Sequence, residues 1–206
     1  AAHVPGAEVI AAPDILTLCA HLNGSEKIAP TQPAHIATPR DHPDLRDVVG
    51  QAGARRALEI AASGGHNLLL WGPPGTGKTL LASRLPGLLP PPGAEDMLLG
   101  LALRDVYDRP HGNDWAFQRP FRNPHHSATA AALVGGGSRP RPGEISLAHG
   151  GVLFLDELPE FGHISLEALR QPLEDRVVTI SRAQGTVTYP ASFMLVAAMN
   201  PCPCGF

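Results

Sequence analysis

The sequence predicts an α/β fold in which a parallel β-sheet carries helices on both faces. From Asp44 onwards, short apolar runs typical of buried strands alternate with amphipathic runs typical of helices, an order that favours a parallel sheet. One apolar run, Asn67–Trp71, leads straight into a glycine-rich loop, and another, Val152–Leu155, ends in two carboxylates. Open parallel sheets bind their ligands at such strand ends.

Periodicity and helix-ending residues predict the elements in chain order. Gln51–Ser63 is expected to form an amphipathic helix closed by Gly64 and Gly65. The other expected elements are a helix over Leu80–Leu85 with a break near Pro86, a helix over Ile164–Glu174 with a kink at Pro172, a β-hairpin over Val177–Ser181 and Thr186–Tyr189 with its turn at Arg182–Gly185, and a buried strand over Phe193–Ala198.

The first 43 residues do not show the alternation of strands and helices that begins at Asp44. Val4–Ile10 alternates like a short strand, and Asp14 precedes an apolar helical pattern that stops at Asn23 and Gly24. One strand and one helix cannot form a domain, so residues 1–24 are expected to be the end of a domain that begins upstream. Residues 25–43 are rich in proline and are expected to be a linker, and 44–206 to be the core.

Composition excludes several classes of protein. Of the 206 residues, 43% are hydrophobic and 17% charged, as in ordinary globular proteins, and the net charge of −3 gives no overall attraction to nucleic acid or to an anionic membrane. Any DNA contact must therefore come from local basic loops. No apolar run is long enough to span a bilayer, and Ala1–Ile10 does not resemble a secretory signal. Three cysteines make no disulfide framework, which favours a cytoplasmic protein.

The glycine-rich loop Gly72–Thr79 fits the phosphate-binding pattern G-x-x-x-x-G-K-[ST] at every position, with a strand before it and a helix after it. Lys78 is expected to reach the β- and γ-phosphates of ATP, and the Thr79 hydroxyl to bind Mg²⁺. A chance glycine-rich turn is the alternative, which eight fitting positions disfavour. The expected nucleotide contacts in and after the loop are Gly72, Pro73, Pro74, Gly75, Thr76, Gly77, Lys78, Thr79 and Leu80.

A second strand is needed to supply the acids of such a site. Asp156 is expected to hold Mg²⁺, and Glu157 to polarise the attacking water; an ordinary strand end is the alternative. Asn200 is expected to orient water or the γ-phosphate, unless Asn200-Pro201 is merely a turn. Val49 and Gly50 are expected to pack on adenine, unless they only start a helix. The expected catalytic residues are Lys78, Asp156, Glu157 and Asn200.

These motifs resemble AAA+ ATPases of the magnesium-chelatase-like ComM/YifB type, and the resemblance covers most of Asp44–Phe206. Glu95–Gln118 matches less clearly. The matching residues are Asp47–Gln51, Gly72–Thr79, Arg119–Ser127, Ala132–Gly137, Pro142–His149, Gly151–Phe161 and Asn200–Gly205.

The resemblance implies a helix-2 insert, a β-hairpin before the sensor strand and a homo-oligomeric, hexameric ring that acts on DNA as a helicase or branch-migration motor. It also implies that Val4–Gly24 ends an N-terminal domain similar to the S5/Lon-protease type. Such ATPases complete their site with arginines from a neighbouring subunit and a lid, so the chain alone is expected to bind nucleotide weakly and to hydrolyse it poorly.

Other residues leave alternatives open. In the insert and hairpin, phosphate contacts or solvated loop charges are equally expected at Arg139, Arg141, Arg182 and Gln184. His125 and His126 favour a structural or nucleotide-proximal role over a metal site, because adjacent histidines usually point apart. Cys202 and Cys204 would form half of a zinc site that is incomplete within this chain.

Two other functions share the nucleotide site. A chelatase subunit would use ATP to insert a metal into a tetrapyrrole. A transcription activator would contact σ factor through an aromatic-tipped insert, but Gly135–Pro140 contains no aromatic residue. A chain that only binds nucleotide is the third alternative.

Overall fold

The structure is a computed structural model that describes residue 4 and residues 6–32, 42–107, 118–137, 140–182 and 185–201. Backbone contacts divide the chain into two compact units, Ala1–Thr38 and Pro39–Phe206. Each unit is described by itself.

The first unit contains one helix, α1 (Ile15–Leu22), within its described residues. It begins as predicted, because the Asp14 carboxylate accepts a hydrogen bond from a backbone N–H of the first turn. The strand predicted over Val4–Ile10 is wrong: the described residues of this stretch are not in a strand. The Val9 carbonyl accepts a hydrogen bond from the Thr31 N–H at 2.7 Å, whereas a strand needs a ladder of such bonds along a neighbouring strand.

The second unit is an α/β core. Its helices are α2 (Ala52–Gly64), α3 (Lys78–Ala82), α4 (Leu85–Leu88), α5 (Ala94–Tyr107), α6 (Ala130–Val134), α7 (Glu144–Leu147), α8 (His163–Glu167) and α9 (Arg170–Asp175), with 3₁₀ turns at Leu45–Asp47 and Leu158–Glu160. Its strands are β1 (Leu68–Trp71), β2 (Phe121–Arg122), β3 (Gly135–Gly136), β4 (Arg141–Pro142), β5 (Val152–Leu155), β6 (Val177–Arg182), β7 (Gly185–Pro190) and β8 (Met194–Met199).

Four of these strands form the central parallel sheet, in the order β1-β8-β5-β2. Leu70 is level with Ala198, and Phe154 with Val196. Because the strands are parallel, the carboxyl ends of β1, β5 and β8 meet at one edge of the sheet. The predicted α/β fold with a parallel sheet is confirmed.

The core lies on both faces of this sheet. Alternate residues of β5 point to opposite faces, as a strand requires. Val152 and Phe154 pack with side chains of α2, α3 and α4, while Leu153 and Leu155 pack with those of α6, α7 and β6. All four are fully buried, which explains why this strand reads as a continuous apolar run.

Two predicted helices are each divided in two. The first ends at Ala82, and Pro86 lies in the first turn of α4, where a missing N–H costs nothing. The second is divided at Ala168 and Leu169, ahead of Pro172 rather than at it. Proline lacks an N–H and its ring clashes with the carbonyl four residues earlier, so the break falls upstream of the proline.

Two antiparallel hairpins project from this core. β3 and β4, between α6 and α7, form the insert hairpin, and β6 and β7, directly before β8, form the sensor hairpin. The sensor hairpin was predicted, whereas no β-hairpin was predicted within the insert. The sensor hairpin pairs Arg182 with Gly185, so its turn is one residue shorter at each end than expected. Helix α5 and the two-residue strand β2 were not predicted.

Candidate nucleotide site

The glycine-rich loop connects β1 to α3, as the motif predicts. Gly75 and Gly77 have positive φ angles of 79° and 78°, which allow the loop to turn tightly before α3 begins at Lys78. The Lys78 ammonium donates to three oxygens, at 2.8 Å to Gly72 O, 2.9 Å to Pro73 O and 2.9 Å to Asn200 Oδ1. All three of its hydrogens are therefore matched by an acceptor of the protein.

The acid at the end of β5 lies directly opposite the start of α3. The Thr79 hydroxyl donates to Asp156 Oδ2 at 2.6 Å. Thr79 and Asp156 are 77 positions apart in the sequence, and the fold places their side-chain oxygens next to each other at the edge of the sheet. Neither side chain is buried, so the pair faces the space beside the glycine-rich loop.

Glu157 occupies an unusual backbone conformation. Its φ angle is 54° and its ψ angle 48°, a left-handed conformation that is uncommon for a residue with a side chain. Its carboxylate Oε2 lies 3.1 Å from Nδ1 of His126, which follows the short strand β2. The neighbouring His125 ring contacts His126 with centroids 4.1 Å apart, and its own Nδ1 bonds the Ser127 hydroxyl. Strained residues of this kind cluster at functional sites.

The segment before α2 reaches the glycine-rich loop. Val48 is buried in the core, whereas Val49 is 93% exposed. Gly50 and Gln51 both have positive φ angles, 76° and 50°, and the Gln51 amide donates to the Thr76 carbonyl at 2.8 Å. Val49 and Gly50 therefore stand beside the loop with their outer surface open.

The structure brings together most of the residues expected at the nucleotide. Lys78, Thr79, Asp156 and Asn200 are linked in two hydrogen-bonded pairs at one sheet edge. Sequence reasoning gave no role to Gln51, and it left the role of His126 open. Their position within the quoted family motifs was the one sequence signal that marked them as candidates. Their partners, Thr76 and Glu157, are too distant in sequence for a local pattern to identify.

The residues expected to contact DNA lie elsewhere. Arg141 is exposed on β4 of the insert hairpin, and Arg182 ends β6. Arg139 and Gln184 lie outside the described residues, as do Cys202 and Cys204. Within the described ranges, no group of three or more His, Cys, Asp or Glu side chains is arranged to hold a metal ion.

A buried polar cluster lies at the opposite end of the sheet. His149 precedes β5, and its Nδ1 accepts a hydrogen bond from the Ser192 N–H at 3.1 Å. Its Nε2 is buried without a hydrogen-bond partner and lies 3.9 Å from Asp96. Burial lowers the pKa of His149, and the Asp96 carboxylate opposes this shift more weakly.

Nearby, Arg122 of β2 makes a bidentate ion pair with Glu144, at 2.6 and 2.7 Å. This pair raises the pKa of Arg122 and joins the sheet to the first turn of α7.

A loop of this type after β1, an acidic pair after β5 and a polar residue after β8 define a P-loop protein with an AAA+ core. The solved structure of NtrX from Brucella abortus in complex with ADP has the same fold, with a TM-score of 0.51 at 19% identity over 77% of this chain and 32% of that chain. Residues 44–206 match the family described as magnesium chelatase, subunit ChlI, and the chain belongs to that magnesium-chelatase-like family, which includes YifB and ComM.

Two relatives are similar over nearly the whole chain. The uncharacterised protein YifB of Salmonella typhimurium is 53% identical over 189 residues, which cover 92% of this chain and 37% of that protein. The competence protein ComM of Haemophilus influenzae is 52% identical over 197 residues, 93% of this chain and 38% of that protein. The chain thus spans less than two-fifths of the length of these relatives.

Among the helices in the described part of the chain, none has the length and apolar character needed to cross a membrane.

Proposed function

We propose that this chain is the nucleotide-binding core of a Mg²⁺-dependent ATPase that works as a motor on DNA. The observation that carries the ATPase proposal is the meeting of Lys78, Thr79, Asp156 and Asn200 at the carboxyl ends of three parallel strands. P-loop ATPases bring the same groups together: the loop lysine binds the phosphates, and the loop Ser or Thr and the Asp after the second strand hold Mg²⁺.

Lys78 would bind the β- and γ-phosphates of ATP. Its ammonium already lies among oxygen acceptors, so phosphate oxygens would replace one or more of Gly72 O, Pro73 O and Asn200 Oδ1. Asn200, released from Lys78 or still bound to it, would then hydrogen-bond the γ-phosphate or the attacking water. Val49 and Gly50 would pack against the adenine.

The oxygens of Thr79 and Asp156 fit a magnesium ion. A hydroxyl and a carboxylate 2.6 Å apart are the hard oxygen donors that this ion prefers, and it normally takes only one or two protein ligands beside phosphate and water. When bound, Mg²⁺ would supply charge neutralisation at the phosphates. The Thr79–Asp156 hydrogen bond holds both ligands at one point before the ion arrives.

Glu157 would act as the base. Its carboxylate would accept the proton of the attacking water, and His126 would hold that carboxylate in place through the 3.1 Å contact. The left-handed backbone at Glu157 supports this assignment, because residues in such sparsely populated conformations cluster at functional sites.

The proposed DNA role has separate support. Exposed Arg141 on the insert hairpin offers a phosphate contact, and the ComM relative carries the name of a competence protein. We propose that the full-length gene product forms a ring, as AAA+ relatives typically oligomerise, and acts as a helicase or branch-migration motor on incoming DNA. Residues 1–24 would end an upstream domain and residues 25–43 would link it to the core. The protein would act in the cytoplasm.

Nucleotide chemistry is tested with the variant Glu157→Gln. We expect it to bind ATP within about threefold of the wild type but to lower the hydrolysis rate of the full-length gene product by about 100-fold, the usual size of general-base catalysis. Glu160→Gln, an exposed carboxylate of the adjacent 3₁₀ turn, is the matched control and should hydrolyse normally. Equal rates for the two variants would exclude Glu157 as the base.

The DNA role is tested by ATP hydrolysis with and without single-stranded or forked DNA. We expect DNA to stimulate hydrolysis severalfold, and Arg141→Ala to weaken DNA binding and to reduce its salt dependence by about one counterion. Arg56→Ala, on α2 far from both hairpins in sequence, serves as a control of equal charge change.

A chelatase-type ATPase is the second candidate, favoured by the match to the magnesium chelatase family. In that case DNA would leave the hydrolysis rate unchanged, and ATP would instead drive magnesium insertion into a porphyrin in the presence of the partner subunits. DNA stimulation of hydrolysis and ATP-driven magnesium insertion are therefore the two measurements that separate these functions.

A further inference from the structure

The insert hairpin and the sensor hairpin are fastened to each other by a tyrosine. The Tyr189 hydroxyl, on β7, donates to the Pro140 carbonyl at 2.9 Å, and Pro140 directly precedes β4 of the insert hairpin. The ring itself packs against the core cluster on that face of the sheet. Packing fixes the direction of the ring, so the hydroxyl holds Pro140 at a defined position.

A second contact joins the two hairpins independently. Ile180 of β6 is 4% exposed and lies against Gly135 of β3. The approach is so close that a Cβ on Gly135 would stand 3.1 Å from Cδ1 of Ile180, and 2.2 Å from the Arg141 carbonyl across the insert hairpin. Gly135 has a φ angle of 105°, which a residue with a side chain rarely adopts.

The sensor hairpin is in turn continuous with the nucleotide site. β7 ends at Pro190, and after three intervening residues β8 begins at Met194 and runs to Met199. The base of the hairpin is closed by the Ala191 N–H, which donates to the Arg176 carbonyl at 2.8 Å. Asn200, which follows β8, bonds the Lys78 ammonium. Tyr189 thus ties the insert hairpin to the strand whose far end meets the phosphate-binding loop.

We infer that Tyr189 is a positioning residue: it fixes the insert hairpin to the sensor hairpin so that Arg141 is presented to a nucleic-acid phosphate in a constant place relative to β8. The nucleic-acid part of this inference rests on the proposed function. The fastening itself does not.

The fastening is tested by amide hydrogen exchange of the chain with Tyr189→Phe, which keeps the packed ring and removes only the hydroxyl. We expect the amides around Arg141 to exchange about fivefold faster, the factor that the loss of one ordinary hydrogen bond gives, while those of β8 are unchanged. Thr188→Val is the matched control, because among the described residues the contact of its exposed hydroxyl is with Thr179 of the same hairpin. Unchanged exchange around Arg141 in Tyr189→Phe would overturn the inference.

The positioning role is tested by the affinity of the full-length gene product for single-stranded DNA. We expect Tyr189→Phe to weaken binding about fivefold, with the rate of ATP hydrolysis in the absence of DNA unchanged. In an Arg141→Ala background the same substitution should have little further effect on DNA affinity. If Tyr189 acts through Arg141, the free-energy effects of the two substitutions are not additive. Full additivity, or normal DNA affinity despite faster exchange, would refute the positioning role.

These two measurements separate the inference from the proposed function. If the wild type does not bind DNA but Tyr189→Phe still loosens the insert hairpin, the DNA function and the nucleic-acid part of the inference fail while the fastening stands. If the wild type binds DNA and the exchange rates are equal, the fastening fails and the DNA function stands.

Discussion

Gly143→Ala is the substitution whose effect follows most directly from the geometry. Gly143 precedes α7 at the base of the insert hairpin, with a φ angle of −94° that any residue can adopt. The backbone conformation therefore adds no strain, and the whole effect is steric. A Cβ on Gly143 would stand 2.3 Å from the Leu133 carbonyl oxygen and 2.4 Å from the Gly135 nitrogen.

Both neighbours are backbone atoms that cannot rotate away. To reach an ordinary contact distance, the base of the hairpin would have to open by roughly 1 Å, and overpacking of this kind typically costs about 1–3 kcal/mol. Alanine also restricts the unfolded chain, which returns about 0.4–1 kcal/mol. Because the offset is subtracted from the steric cost, we expect the free energy of unfolding to fall by about 1–1.5 kcal/mol, measured by urea denaturation followed by circular dichroism.

Gly100→Ala is the matched control, since Gly100 lies inside α5 and a Cβ there meets no atom within 4 Å beyond the helix's own backbone. This variant should be more stable than the wild type by about 0.5–1 kcal/mol, because alanine favours the helix. If Gly143→Ala unfolds at the same urea concentration as the wild type while Gly100→Ala is stabilised, the steric argument is wrong and the base of the insert is looser than described.

Three further predictions concern polar contacts. Gln51→Ala removes the hydrogen bond to the Thr76 carbonyl and should weaken nucleotide binding about threefold to tenfold, as checked by titration with a fluorescent ATP analogue, while lowering the free energy of unfolding by only about 0.5–1.5 kcal/mol. Thr79→Val should abolish the increase in ATP affinity that Mg²⁺ produces, and a variant that keeps the full increase would exclude Thr79 as a ligand. Because burial lowers the pKa of His149, the folded chain binds a proton at this residue less readily than the unfolded chain, whose histidines titrate at a pH of about 6.5. The free energy of unfolding should therefore decrease between pH 7 and pH 5, by at most about 1.4 kcal/mol per pH unit for this group, and His149→Asn should show a smaller decrease.

The parts of the fold that the sequence predicts are those encoded by contiguous residues. The loop Gly72–Thr79 and the strand Val152–Leu155 carry their signal within eight and four positions, and the structure forms both with the expected neighbours. The two strands of the sensor hairpin were equally predictable, because both are runs of β-branched residues.

The elements that were predicted wrongly or not at all depend on partners distant in sequence, or on a residue that acts on the backbone several positions before it. Pro172 breaks its helix upstream, since its ring excludes the carbonyl four residues before it. The strand β2 is only Phe121 and Arg122, too short for periodicity, and exists because β5 offers it a parallel neighbour. Val4–Ile10 alternates as a strand should, but none of its described residues pairs with a neighbouring strand.

The candidate site shows the same division. Sequence reasoning assigned roles to Lys78, Asp156 and Asn200, but it gave none to Gln51 and left that of His126 open, although both lie in the quoted motifs. The bonds of Gln51 to Thr76 and of His126 to Glu157 are products of the fold, because each joins two loops that meet only after the sheet has formed.

The charges of the candidate site give a physical reason why the proposed reaction should require a divalent cation. Asp156 and Glu157 place two carboxylates at the end of β5, while Lys78 brings one ammonium from the opposite loop. These two carboxylates and one ammonium therefore leave a net negative charge beside the phosphate position. A triphosphate that approaches this edge would be repelled by the carboxylates that must act on it, and the screening of exposed charges by salt would not remove repulsion at contact distances. A divalent cation between Asp156 and the phosphates would reverse the sign of the local field. Strong dependence of ATP affinity on Mg²⁺, and weak dependence in Asp156→Asn, is the result that this charge arrangement demands.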